Sequence, residues 1–106
     1  MNFPDCAFHH VSRPARYAGH EWNSILKDWD KASLRIALCY PDAYEVGVSN
    51  LALPVLYEIL NSRPDIIAER VFAPWVDMEQ VLRESGRMLF SLESRHELRD
   101  FDVIAF

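Results

Sequence analysis

The chain has 106 residues, half of them apolar, with a formal net charge of −5 and a pI near 5.2. That suffices for one small domain with a single core. The acidic balance, with Lys and Arg scattered, excludes nucleic acid as a main partner. No apolar run approaches the roughly 20 residues that span a bilayer. The N-terminus has neither a basic nor an apolar signal region, and two cysteines, Cys6 and Cys39, make no disulfide framework. The expectation is a reduced, cytoplasmic protein without a membrane partner.

Residues 1–12 show no periodicity and read as a flexible tail. His9 and His10 stand adjacent on it, so their side chains diverge and make no metal pair. Residues 13–33 form a lead-in segment rich in aromatic and charged side chains. His20-Glu21 begins like a zinc-protease motif, but Ser24 stands where the second histidine is required. Residues 34–106 carry the domain. Leu34–Tyr40 predicts a buried strand, followed by the loop Pro41–Asn50. A helix then presents Leu51, Ala52, Val55, Leu56, Ile59 and Leu60 as its apolar face. Ser49 or Asn50 caps it, and Pro54 places its regular part close to that residue. Residues 62–65 end the helix, and Ile66–Ala73 supplies a second strand. After the turn at Pro74-Trp75, Asp77 with Gln80 predicts a capping box for a helix that stops near Gly86. Met88–Leu92 suggests an extra edge strand, and residues 93–100 hold at most one helical turn. Asp100–Phe106 reads as a strand buried on both faces. The order β-α-β-α-(β)-β predicts a parallel α/β sheet with right-handed crossovers. A chain ending in such a strand leaves a fresh sheet edge. This reads as the beginning of something longer; otherwise a partner protein or a second copy covers the edge.

The loop after the first strand carries the candidate chemistry. Asp42-Ala-Tyr-Glu-Val-Gly47 has the spacing of the Asp-x-His-x-x-Gly cobalamin signature, with tyrosine at the place of the metal-ligating histidine. One reading is a loop that cradles a bulky cofactor, Gly47 allowing close approach. The other is an ordinary strand-to-helix loop. A neutral phenol is a poor cobalt ligand, so Tyr44 would pack or hydrogen-bond, and a corrinoid here would lack a protein histidine. Asp42 and Glu45 are placed for acid–base work, but a structural role, a cap for Asp42, ranks ahead for both. Three glycines cannot build a phosphate-binding motif. Ser49 lacks the glycines of a nucleophile elbow, and Cys39 reads as a small hydrophobe. Trp22, Trp29 and Trp75 read as packing anchors.

A longer ordered set of segments carries a resemblance: Arg13–Tyr17, Gly19–Asn23, Lys27–Asp30, Tyr40–Gly47, Leu56–Asn61, Ala68–Trp75, Leu89–Glu93 and Leu98–Phe106. Together they resemble the N-terminal region of bacterial radical S-adenosylmethionine proteins with a cobalamin-binding-type domain. The resemblance implies the first part of a Rossmann-like three-layer sandwich over residues 34–106, with core strand order 2-1-3 and truncated at the C-terminus. It implies Asp42, Tyr44, Glu45, Gly47, Ser49 and Asn50 as a cofactor-contacting surface, with no catalytic or metal-ligating residue. Cobalamin is the implied ligand. S-adenosylmethionine and a four-iron four-sulfur cluster belong only to a full-length parent, because three closely spaced cysteines are missing here. The lead-in would dock on the parent's barrel. The parent's remainder, or a second copy, would pair with the 101–106 strand edge. The alternative is a non-catalytic interaction module that keeps the fold without a cofactor.

Overall fold

The computed structural model describes residues 11–13, 15–19 and 24–106. Cys6, His9, His10, His20, Glu21 and Trp22, and most of the expected tail, lie outside them. Three parallel strands form one sheet in the order β2-β1-β3, with β1 at Leu34–Tyr40, β2 at Ile66–Phe72 and β3 at Val103–Ala105. Leu34 pairs with Ile66 and the register runs to Tyr40 with Phe72; Ile36 pairs with Val103 and Leu38 with Ala105. Side chains alternate between the two faces. Ile36, Leu38, Ala68 and Phe72 pack under α3 (Ala52–Asn61) against Leu53 and Tyr57. Ala37, Cys39 and Val71 pack on the other side against Phe101, Trp29, Leu89 and Leu98. The predicted 2-1-3 α/β architecture is therefore present.

The helix α3 does not bury the face its pattern suggests. Leu53, Tyr57 and Asn61 turn inward, while Leu51, Val55, Leu56 and Ile59 are exposed. The helix is apolar nearly all round, so hydrophobicity alone leaves its rotation undecided. Polar partners decide it. The Tyr57 hydroxyl accepts the Ile25 N–H at 2.8 Å. The Asn61 carboxamide donates to the Ala68 carbonyl at 2.9 Å and accepts the Ala68 N–H at 3.0 Å.

That carboxamide also belongs to a pattern along the outer margin of β2. Lys27 Nζ donates to the Ile66 carbonyl at 2.7 Å and also to the carbonyls of Asn61 and Arg63. At Arg70 the N–H is taken by the Glu93 carboxylate at 3.0 Å, and the carbonyl accepts the Leu92 N–H at 2.9 Å. Residues 66, 68 and 70 point their backbone groups outward in turn, and each finds a partner. No strand pairs with the outer side of β3 among the described residues.

Three further expectations are corrected. Met88–Leu92 is not a strand; it folds back on itself through an antiparallel bridge between Phe90 and Glu97, with Arg95 at φ 61° in the turn. The capping box is absent. The helix α4 spans Val76–Ser85 with Trp75 at its N-cap; Asp77 sits inside the first turn, and Gln80 reaches forward to Glu84 at 2.9 Å. It does end at Gly86, with φ 69°. Finally, Val103, Ile104 and Phe106 are exposed rather than buried on both faces, because β3 is the sheet's edge. No helix among the described residues is long and apolar enough to cross a membrane.

Candidate functional site

All three strands point their carboxyl ends the same way, so Tyr40, Phe72 and Ala105 share one margin of the sheet. Backbone donors and the helices that follow converge at such a margin. The loop Pro41–Asn50 lies there and contains a single helical turn, α2 (Tyr44–Gly47).

The six predicted residues take different places. Asp42 is exposed; its carbonyl accepts the Ala73 N–H at 2.9 Å, tying the loops after β1 and β2 together. Among the described residues its carboxylate accepts the adjacent Ala43 N–H, at 2.7 Å. Ala43 is the N-cap residue, with no side-chain cap, so the capping role expected of Asp42 is not found. Tyr44 is half-buried and sets its ring edge-on to Phe72, with centroids 5.4 Å apart. Glu45 receives Arg16 Nε at 2.7 and 3.0 Å and Arg13 at 3.5 Å. Those guanidinium groups hold its carboxyl below the usual range, Arg16 most strongly.

Gly47 is buried, and a Cβ there would meet the Phe72 ring at 2.2 Å. The close approach that this glycine permits is therefore made by a core aromatic ring. Ser49 Oγ donates back to the Glu45 carbonyl at 3.2 Å. Asn50 Oδ1 accepts the N–H groups of Ala52 and Leu53, at 2.9 and 3.3 Å, and so caps α3 as predicted.

Among the cavities that open near this margin, two bear on the predicted residues. One, of about 190 Å³, is lined by Tyr44, Val48, Leu53, Tyr57, Arg70 and Phe72. The second, of about 280 Å³, lies where the strand order reverses between β1 and β3, among Leu38, Tyr40, Asn50, Leu56, Ala105 and Phe106. Tyr44 and Asn50 reach these cavities; Asp42, Glu45, Gly47 and Ser49 line neither. Cys39 also borders the second, and burial pushes its thiol up, away from the thiolate form. The described residues contain no cluster of three His, Cys, Asp or Glu able to hold a metal ion. A corrinoid bound through a lower-face histidine does not fit this loop: Tyr44 replaces the imidazole, and the Gly47 cradle is filled by Phe72.

The buried ionic chemistry lies elsewhere, on β2. Arg70 Nε donates to Glu93 Oε1 at 2.7 Å, with Glu93 buried. Burial pushes the Glu93 carboxyl up, against the downward pull of Arg70. One position earlier, buried Glu69 accepts the hydroxyls of Ser91 at 2.6 Å and Ser94 at 2.5 Å. Ser94 Oγ in turn lies 2.6 Å from His96 Nδ1, and His96 stacks on Trp29 with centroids 3.7 Å apart. Serine stands between acid and imidazole, whereas nucleophile activation needs the imidazole in the middle. The network anchors the 88–98 loop. Its signal was the Glu69-Arg70 pair inside an otherwise apolar strand, which requires buried partners that composition does not identify.

The family model for the N-terminal part of radical SAM proteins matches residues 52–106, from α3 through β3. No curated protein and no solved structure matches the chain.

Proposed function

The chain belongs to the family of radical SAM proteins, through their N-terminal region, and from that premise we propose that it is a non-catalytic part of a larger radical enzyme. Full-length proteins of this family use S-adenosylmethionine and an iron–sulfur cluster. Two cysteines cannot supply three closely spaced thiolates, so that chemistry belongs to the parent's other segments. The role of this region is to hold its carboxyl margin toward the reacting centre while the parent's remainder pairs with β3. The observation that carries this reading is the asymmetry of the sheet: residues 66, 68 and 70 of β2 have outer partners, and no strand pairs with the outer side of β3 among the described residues. The isolated chain would then cleave no S-adenosylmethionine, and sustained cleavage by it would refute the reading.

The finer reading gives the region a cobalamin-binding-type identity. Asp42, Tyr44, Glu45, Gly47, Ser49 and Asn50 would then face a corrinoid held without a protein nitrogen on cobalt. The opposing reading, a module without any cofactor, is favoured by the internal engagement of Glu45, Gly47 and Asn50. Optical titration of the full-length parent with hydroxocobalamin separates the two. An unchanged corrin spectrum at saturating protein would remove cobalamin from the assignment.

A further inference from the structure

The inward residues of α4 are not members of the two clusters that flank the sheet, although Leu89 packs against both theirs and the one that holds Phe101. Those residues, Met78 and Leu82, pack with Val11, Tyr17 and Phe90 in a cluster of their own. The lead-in, with α1 at Ala15–Ala18, thus supplies much of the apolar cover of this helix. The polar ties between the two are direct. Ser12 N and Oγ both donate to Asp77 Oδ2, at 2.8 and 2.9 Å, and the Tyr17 hydroxyl accepts the Trp75 N–H at 3.0 Å. The Arg16 guanidinium lies 5.2 Å over the Trp75 ring.

A different set of ties holds the lead-in to the remainder of the domain. Arg16 and Arg13 reach Glu45 in the loop after β1, at 2.7 and 3.5 Å. Arg95 Nη2 donates to the Ala18 carbonyl at 3.0 Å. Gly19, with φ +68°, lies against the Leu92 carbonyl, where a Cβ would come within 2.1 Å. Ser12–Asp77 therefore works within the lead-in and α4, while Arg16–Glu45 works between that pair and the sheet.

We propose that residues 11–13 and 15–19 form a strap that, together with α4, opens from the sheet as one cooperative unit, latched by the pairing of Arg16 and Arg13 with Glu45. Closed, the unit stands against the loop after β1 through Glu45 and against the 88–98 loop through Ala18 and Gly19. Released, it uncovers Glu45 and the loop around it. The proposal goes beyond the reading of the region as part of a radical enzyme and does not depend on which ligand the loop takes. Small cooperative units of this kind open with less free energy than the global fold and are visible in amide exchange.

The test is hydrogen exchange by mass spectrometry on the whole 106-residue chain, comparing wild type with Glu45→Gln and Asp77→Asn. In Glu45→Gln, amides of residues 15–19 and 76–85 should exchange faster by one common factor, roughly twofold to fivefold for a half-exposed ion pair with its geometry lost. Amides of β1 and β2 should keep their wild-type rates. In Asp77→Asn, acceleration should be confined to the strap. Raising sodium chloride to about 1 M should reproduce the Glu45→Gln pattern in wild type, because exposed pairs are screened within a few ångström. Acceleration of the strap without α4 in Glu45→Gln would overturn the cooperative unit. Equal acceleration in the strands would show that Glu45 holds the global fold, and unchanged rates would show that it latches nothing.

Discussion

Replacing Asn61 by leucine isolates the closure of β2, since leucine has similar volume and is the better helix former. The carboxamide of Asn61 satisfies both the N–H and the carbonyl of Ala68, a residue with no exposed surface. Leucine leaves both groups buried and unpaired, at about 1–3 kcal/mol each. A total near 2–6 kcal/mol is a large share of the roughly 5–15 kcal/mol that stabilises a domain. Urea unfolding followed by circular dichroism at 222 nm should show the midpoint falling with the slope unchanged. Asn61→Asp should also destabilise, because a carboxylate can accept the N–H but opposes the carbonyl with a second acceptor. An Asn61→Leu protein within about 0.5 kcal/mol of wild type would refute the assignment, since leucine's gain in helix propensity, at most about 0.7 kcal/mol, is too small to hide the loss.

Other outcomes follow from the same geometry. Gly47→Ala should destabilise by about 1–3 kcal/mol through collision with Phe72, and Phe72→Leu in the same chain should recover part of the loss; additive losses in urea unfolding would count against packing as the reason for this glycine. Lys27→Met should cost about 1–3 kcal/mol by stranding the carbonyls of Asn61, Arg63 and Ile66, whereas a midpoint equal to wild type would show that water replaces the ammonium. Acid should loosen the strap. Arg16 and Arg13 lower the Glu45 carboxyl, and the Ser12 N–H and hydroxyl lower that of Asp77, with Arg16 adding to the latter. A lowered folded pKa gives a contribution that is complete above the ordinary carboxylate range and lost as pH falls through the folded value. Exchange in residues 15–19, corrected for intrinsic rate, should rise below that range; a flat profile there would contradict the ion pairing.

The parts legible in the sequence are those that neighbours along the chain decide. The apolar run of β1 and the crossover helix fixed the parallel pairing. Asn50 was readable as a cap because its partners lie two and three residues away. Gly86 was readable because a left-handed residue ends a helix locally. Asp77 shows where this kind of reading stops. Its spacing to Gln80 imitates a capping box, but Ser12, 65 residues away, takes one carboxylate oxygen. The rotation of α3 likewise depends on Ile25 and Ala68, which no window on the helix contains. At the candidate site the loop was found but its members were not equivalent. Tyr44 and Asn50 reach cavities, whereas Glu45 and Gly47 are engaged by Arg16 and Phe72.

In the vocabulary of polymer chemistry, a sheet with one bare margin is a monofunctional unit. Two such units joined margin to margin make a closed pair with no site for a third, whereas a unit with two bare margins grows without limit into a filament. The side chains of Lys27, Asn61 and Glu93 thus act as chain stoppers for this sheet. Removing one of them leaves a backbone group of β2 without its partner, and a sheet edge with unpaired groups is a template for another chain.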